Sequence, residues 1–438
     1  MMTMSFKDKF TDVMGAIAEK VDDNKYLNSI KTTFTIYMPF IVIGSFALLF
    51  NVILTSDKTG LAKFEPFKFL KVIEPAFTAI NFATMNTMAL AIVFILGMTL
   101  GKRNKQNEII CGLVALMSYI TVIPQSIKSV VDGVENLIKG LPASGTDASG
   151  LFIGMILTIL VIEFFTKLTS IDILKIKMPA SVPAAITTSF NTLIPLFITL
   201  ITVSVLSRIF VNVTGLYLNE AIYKVLQSPL ESVFQSPGGI LFIVFISQLF
   251  WLLGIHGGLI VSPIRNPLAI AALAANIAAV EKGLQPTEPI TLGFWVTFVV
   301  PGGAGLTLCL VIANLIASKR EDHRAISKTA LIPGIFGISE PVVFGLPLIL
   351  NPTFAIPFTL GSVVSTAIAL LAVEIGFITP NVVDVPFGVP LGISAFLGFG
   401  INGVIVQLII LVVGVLFYLP FVLLSNRQYA KEQLERNE

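Results

Sequence analysis

The feature that most limits how this chain can fold is a series of apolar blocks that carry almost no charge: Phe34–Leu54, Ala76–Leu100, Leu151–Phe165, Ser189–Leu206 and Val404–Leu424. About 20 apolar residues in a helix cross a hydrocarbon core, and several of these blocks are that long. Only 12% of the 438 residues are charged and 55% are apolar, against about a quarter charged in a soluble domain. A soluble core cannot absorb that excess. Lipid offers no hydrogen-bond partner, so the backbone of each block must satisfy itself, which selects helices. The predicted fold class is all-α, a polytopic integral membrane protein.

The formal charge of +2 says little about partners, because in such a chain the placement of Lys and Arg matters more than their sum. No basic patch points to nucleic acid. Residues 1–30 place Phe6, Phe10, Met14, Ile17 and Val21 at helical spacing among charged residues, which predicts an amphipathic helix on the membrane surface rather than a cleaved signal. The run Gly101–Asn107 is basic and is expected in the cytoplasm, with both termini on that side. The same assignment puts Ser126–Ser149 outside and also leaves Lys58, Lys63, Lys68 and Lys71 outside, against the rule. The charged loop Lys319–Arg324 with Lys328, and the tail at 426–438, read as cytoplasmic. His323 is expected to be a solvated loop residue.

Residues 215–235 show a second amphipathic pattern, with Tyr217, Ala221, Ile222 and Val225 on one side and Asn219, Glu220, Lys224 and Gln227 opposite. This is read as an interfacial connector between a first half of plain helices (31–214) and a second half (236–425) punctured by glycine and proline. The punctured blocks run from Pro333 to Pro357, from Gly376 to Gly392, and from Gly254 to Pro267. Broken backbone at membrane depth is tolerated where protein or a wet cavity satisfies it, so these blocks predict a cavity.

Ionisable groups at that depth usually face a pathway. Glu340, in Gly337-Ile338-Ser339-Glu340-Pro341, is far from either charged loop and is the first candidate for contact with a ligand. The other reading is a carboxylate satisfied by nearby backbone N–H groups. His256, in Gly254-Ile255-His256-Gly257-Gly258, is the second, because bare glycines allow close approach. Trp251 could stack on a sugar ring or belong to an interfacial belt. Gln248, Asn266 and Asn86 are weaker polar candidates. Arg265 is left open as a partner of Glu340, Glu374 or Asp384, with Asp384 expected at a hairpin tip. Cys111 and Cys309 lie in apolar stretches and read as core thiols. No metal cluster or phosphate-binding loop is visible, so neither a cofactor nor an ATP-driven pump is expected.

The Gly-Ile-Ser-Glu-Pro motif at 337–341, the Gly-Ile-His-Gly segment at 254–257 and the basic loop 319–328 together resemble enzyme IIC of the bacterial phosphoenolpyruvate-dependent sugar phosphotransferase system. The likeness covers essentially the whole chain. It falls in the lactose, cellobiose and diacetylchitobiose branch, nearest the diacetylchitobiose carriers. The resemblance implies about ten transmembrane helices, two re-entrant hairpins in a C-terminal transport domain, and a homodimer formed through five N-terminal spans. It also implies that Glu340 and His256 grip the sugar near its C6 hydroxyl for phosphorylation by a phosphocysteine on enzyme IIB. No stretch of the chain is large enough for IIB or IIA, which are expected as separate polypeptides fed by the phosphocarrier HPr. Lys319, Arg320, Arg324 and Lys328 are the candidate docking residues for IIB. The alternatives are an ion-coupled secondary sugar transporter and an intramembrane hydrolase, for which Ser339 beside Glu340 is a poor nucleophile–base pair.

Overall fold

The computed structural model describes residues 23–56, 60–131, 134–176, 184–346 and 348–437. The surface helix expected at 1–30 lies almost wholly outside them, as do Lys58, Lys177 and Pro347. The described residues are overwhelmingly helical and form two compact units, Asn24–Glu231 and a second containing Ser232–Glu438.

In the first unit, α1 (Lys25–Phe50) starts at Asn24, whose side chain accepts the Tyr26 and Leu27 N–H groups at 3.0 Å. It runs into a π turn at Asn51–Thr55. Then come α2 (Glu74–Asn81), a second π turn at Phe82–Asn86, and α3 (Met88–Arg103), with a 47° bend near Thr87. The expectation of plain helices up to residue 214 is therefore corrected. The π turns each insert an extra residue into the helical ladder without the glycine or proline that would have announced it.

α3 packs on α4 (Glu108–Val122) through small residues. A Cβ on Gly97 would come within 2.7 Å of the Ala115 methyl, and one on Gly101 within 2.6 Å of Cys111 Cβ. Such spacing lets helix backbones approach where lipid gives no hydrophobic drive to associate. Cys111 and Cys309 are both free and fully buried, as core thiols should be. A hairpin of β1 (Ser126–Val131) and β2 (Val134–Lys139) follows, which the all-helical reading did not anticipate. Next are α5 (Leu151–Thr169) and α6 (Ala184–Thr214). Asn104, from the basic Gly101–Asn107 run, accepts from Lys25 Nζ at 3.0 Å and donates to Glu163 and Thr166, while Lys25 pairs with Glu163 at 2.7 Å.

The 215–235 segment forms α7 (Leu218–Ile222), a π turn at Tyr223–Gln227, and α8 (Ser228–Gln235). Its polar side is only partly the outer one, with Lys224 exposed and Glu220 half-buried. Asn219 and Gln227 are buried, with Gln227 donating to the Ala148 carbonyl at 3.2 Å, whereas Val225 is 78% exposed. Apolar residues face outward here because the surroundings are lipid.

The second unit holds α9 (Pro237–Leu252), α10 (Gly257–Glu281), α11 (Thr307–Ala317), α12 (Glu321–Ile335), α13 (Glu340–Gly345), α14 (Pro352–Glu374) and α15 (Ile393–Asn437). α15 is kinked at Gly400, whose φ of 66° and ψ of −161° are not helical. Irregular stretches interrupt these helices, among them 253–256, 300–306, 336–339 and 375–392. Two correct the sequence reading. The 254–267 block breaks only before residue 257, for α10 continues through Pro263 and Pro267. Pro263 has no N–H for the Leu259 carbonyl, and Ser262 Oγ donates to that carbonyl instead, at 2.8 Å. Conversely, the stretch 300–306 was missed, though Gly302, Gly303, Gly305 and Leu306 all take positive φ there.

Side chains from continuous helices hold the irregular stretches. Tyr418 on α15 donates to the Gly305 carbonyl at 2.6 Å, and Gln407 joins two stretches, donating to the Thr297 carbonyl at 3.0 Å and accepting from Gly392 N–H at 2.6 Å. Asn276 on α10 accepts from the Thr287 and Glu288 N–H groups and donates to the Asn381 carbonyl.

Seven helices among the described residues are long and apolar enough to cross a membrane, or nine if each of two bent pairs is one span. α4, with 15 residues, is shorter. Tyr418→Phe leaves the Gly305 carbonyl buried without its donor and should cost about 1–3 kcal/mol. Thermal unfolding of the purified protein in detergent checks this; an unchanged midpoint would show that the bond does not hold the 300–306 stretch.

Candidate functional site

Several irregular stretches of the second unit touch one another on either side of α13, the short helix that Glu340 opens. Ser339, just before it, is 4% exposed and lies against Gly303, where a Cβ would come within 2.8 Å of Ser339 Cβ. Gly337, at φ 80°, faces Phe387 from the 375–392 stretch, and Leu391 N–H in that stretch bonds the Ile335 carbonyl at 3.0 Å. Leu350 N–H, following α13, bonds the Leu252 carbonyl at 2.8 Å and so ties in the 253–256 turn. Glu340 opens α13, with Pro341 fixing the first turn, and its side chain is exposed among buried neighbours.

His256 caps α10: its Nδ1 accepts the Leu259 N–H at 3.2 Å. In a neutral imidazole one nitrogen accepts and the other carries the proton, so this bond assigns the N–H to Nε2. The ring is exposed and sits 4.2 Å from the Trp251 ring, centroid to centroid, at 44°. Trp251 is the last turn of α9 and 5% exposed, packed in the same apolar cluster as Val342 and Val343 of α13. One core therefore supports both the His256 turn and the helix that carries Glu340. The site offers an acceptor carboxylate and an imidazole N–H donor, with aromatic surface from the exposed Phe387, 64% accessible, whereas the stacking role expected of Trp251 is corrected, because its ring is buried in the core beneath His256. Such a mix of a few polar groups and aromatic walls suits a small polyhydroxylated ligand.

The remaining candidates fall in different places. Gln248 is fully buried, and neither of its side-chain polar atoms has a protein partner. Asn266 is 7% exposed and accepts from Arg265 Nε and Nη2 at 3.1 and 2.9 Å, while the Arg265 guanidinium lies 4.4 Å from the Trp295 ring centre. Asn86 belongs to the other unit, in the Phe82–Asn86 π turn. Neighbouring Asn81 donates to the Gly44 carbonyl, a structural bond. Asp384 is 2% exposed within the 375–392 stretch, and Glu374 is exposed at the end of α14.

The charged loop is more ordered than its composition suggested. Arg324 donates to the Leu315 and Ser318 carbonyls, and Asn426 donates to the Ala317 carbonyl while accepting from Lys319 N–H, so the end of α11 is capped from two elements. Arg320 grips Asp322 with two hydrogen bonds, at 2.8 and 3.2 Å, which hold that carboxyl down to about 2, and it lies over the Tyr429 ring. Lys319 and Lys328 are exposed. His323 is corrected: it is 4% exposed, near Phe354, and burial followed by Arg320 lowers its pKa, so it is a neutral packed residue rather than a solvated one.

Sequence reasoning missed the 300–306 stretch and Phe387. The signals were present in Pro301-Gly302-Gly303-Ala304-Gly305 and in Pro386-Phe387-Gly388. It also gave the glycines around His256 the wrong weight. Gly257 serves helix approach, because a Cβ there would overlap the Ser247 carbonyl. Gly257→Ala should therefore push α10 from α9, displace His256 and abolish ligand binding, whereas Gly258→Ala, which meets only the His256 ring at 3.4 Å, should be far milder. Comparing the affinities of the two purified variants checks this.

Comparison with known proteins identifies the family. The family model described as Phosphotransferase system, EIIC matches residues 31–362. The oligo-beta-mannoside-specific EIIC component of Bacillus subtilis (strain 168) is 31% identical, over 97% of this chain and 96% of that protein. The cellobiose-specific EIIC component of Geobacillus stearothermophilus is 29% identical over 98% and 95%. The crystal structure of the transporter ChbC, the IIC component of the N,N'-diacetylchitobiose-specific phosphotransferase system, superposes with a TM-score of 0.88 at 31% identity, covering 95% of this chain and 97% of that one. These relatives stand against the ion-coupled alternative. The chain belongs to the EIIC family of the phosphotransferase system, the multi-pass membrane components through which that system takes up sugars.

Proposed function

We propose that the chain is the permease for a β-linked disaccharide of the cellobiose and diacetylchitobiose type, with Glu340 and His256 as the two groups that hold the sugar. What supports this reading is an exposed carboxylate and an exposed imidazole, each at the entrance of a helix beside a break, on supports that share one apolar core. A sugar hydroxyl both donates and accepts. It can give its proton to Glu340 and take one from His256 Nε2, and the carboxylate bond is charge-assisted. Phe387 supplies apolar surface for the C–H faces of the rings, while Trp251 supports His256 from beneath. The relatives named for oligo-β-mannosides, cellobiose, lactose and diacetylchitobiose support the substrate class.

The hydroxyl so held is C6–OH, which receives the phosphoryl group from a phosphocysteine of enzyme IIB, itself charged through HPr and enzyme IIA. In-line transfer asks mainly for positioning and charge stabilisation. The exposed Lys319 and Lys328 are the docking residues for IIB, while Arg324 acts by capping α11. The protein works as a homodimer with both termini in the cytoplasm.

Glu340→Gln and His256→Ala should each weaken disaccharide binding to purified protein by at least tenfold, about 1.4 kcal/mol, since a lost anchor leaves ligand hydroxyls unpaired. Isothermal titration with a panel of β-linked disaccharides checks this, and full affinity in both variants would remove the site assignment. Uptake should require phosphoenolpyruvate, deliver sugar phosphate and survive an uncoupler.

A further inference from the structure

Between α1 and α2 the chain forms 3₁₀ helix over Leu61–Lys63 and, after Phe64, over Glu65–Ile73. Nine residues is long for a 3₁₀ helix, whose runs are usually three or four. At three residues per turn, side chains three apart eclipse, so the sequence sorts into three straight stripes. Phe67, Leu70 and Ile73 make one, wholly apolar, to which Phe64 at the extended N-cap adds. Glu65, Lys68, Lys71 and Glu74 make the second, wholly charged, with Lys68 and Glu65 paired at 2.6 Å. The third, through Pro66, Phe69, Val72 and Pro75, is apolar again after Lys63.

Both apolar stripes are open: Phe64 is 58% exposed and Phe67 42% on one, Phe69 66% and Val72 82% on the other. Apolar surface thus covers about two-thirds of the circumference, leaving only the charged ridge. A protein partner seated on one side would leave the other stripe bare. A lipid boundary covers every side but the one facing water.

Helix lengths place the rod at that depth. With α3 along the membrane normal, its 16 residues rise about 24 Å, and Glu65–Asn86 as a whole is inclined to it at 47°, so that α2 and its π turn, about 20 Å long, add about 13 Å of depth. Together they cross the hydrocarbon core of about 30 Å and reach into its boundary. Glu65–Ile73 then lies beyond the core, on the face opposite Gly101–Asn107.

We propose that Leu61–Ile73 is a membrane-surface rod, lying in the headgroup–acyl boundary with both apolar stripes sunk into lipid and the Glu65–Lys68–Lys71–Glu74 ridge toward water. The three-residue period sets two of the four lysines that conflicted with the charge rule, Lys68 and Lys71, on the watery ridge. Their stems reach along apolar surface while the ammonium groups stay hydrated.

Nitroxide labels placed one at a time at positions 64 to 72 of the full chain in phospholipid nanodiscs test this, with Cys111 and Cys309 buried and left in place. Collision with oxygen, which concentrates in lipid, should dominate at 64, 67, 69 and 72. Collision with a water-soluble nickel chelate should dominate at 65, 68 and 71, so that the ratio oscillates with the period of the rod. Nickel access at 69 and 72 equal to that at 65 and 68 would overturn the proposal in favour of an aqueous loop. Exclusion of both reagents at 64 and 67 or at 69 and 72, with spin coupling between copies, would overturn it in favour of a subunit contact.

Discussion

Hydrogen-bonding groups of the backbone have no water to turn to inside a bilayer, and this condition organises the second unit. Each irregular stretch there exposes N–H and C=O groups that a helix would have satisfied. The structure answers with single side chains from intact helices: Tyr418 for Gly305, Gln407 for Thr297 and Gly392, Asn276 for the 287–288 turn and Asn381. It also joins the stretches to one another, through Leu350 to Leu252 and Leu391 to Ile335. The first unit has less need of this. Its α3 and α4 meet through glycine and alanine contacts, and its own irregularities are mostly π turns, which keep the backbone helical.

Breaking helices in a membrane is costly, and the return is access. A continuous helix buries its main-chain groups and presents only side chains, whereas a break can bring helix starts and turn residues to one point. Here Glu340 begins a helix and His256 caps another, so both polar groups stand at helix entrances with their backbones fixed by neighbouring bonds. Trp251, buried under His256 and shared with the core around Val342 and Val343, couples the two supports. Positioning at a transfer site is worth little unless its groups are held this firmly.

Much of this was legible from residue order. Charge-free apolar blocks gave the membrane class, and clustered Gly and Pro marked the breaks at 253–256, 336–339 and 375–392, beside which His256 and Glu340 stand. Proline was a weaker guide than glycine: Pro263, Pro267 and Pro357 lie inside continuous helices because neighbouring groups such as Ser262 take up the freed carbonyls. The π turns carry no local signature, and the burial of Gln248 and His323 depends on what packs over them. The stripes of Leu61–Ile73 were visible in the sequence all along, but only to a period of three, which is not the one a helix search uses.

The proposed site also explains how one residue can favour entry and oppose return. In that proposal Glu340 as a carboxylate would bind a C6 hydroxyl because the hydroxyl brings a proton to share. Once phosphorylated, that oxygen has no proton, and the group it carries brings up to two negative charges. A charge 4 Å from a carboxylate in a partly desolvated site is repelled by about 4 kcal/mol at an effective dielectric of 20. The anchor for the substrate therefore becomes the force that expels the product, and direction follows from the chemistry at C6 with no need of an ion gradient.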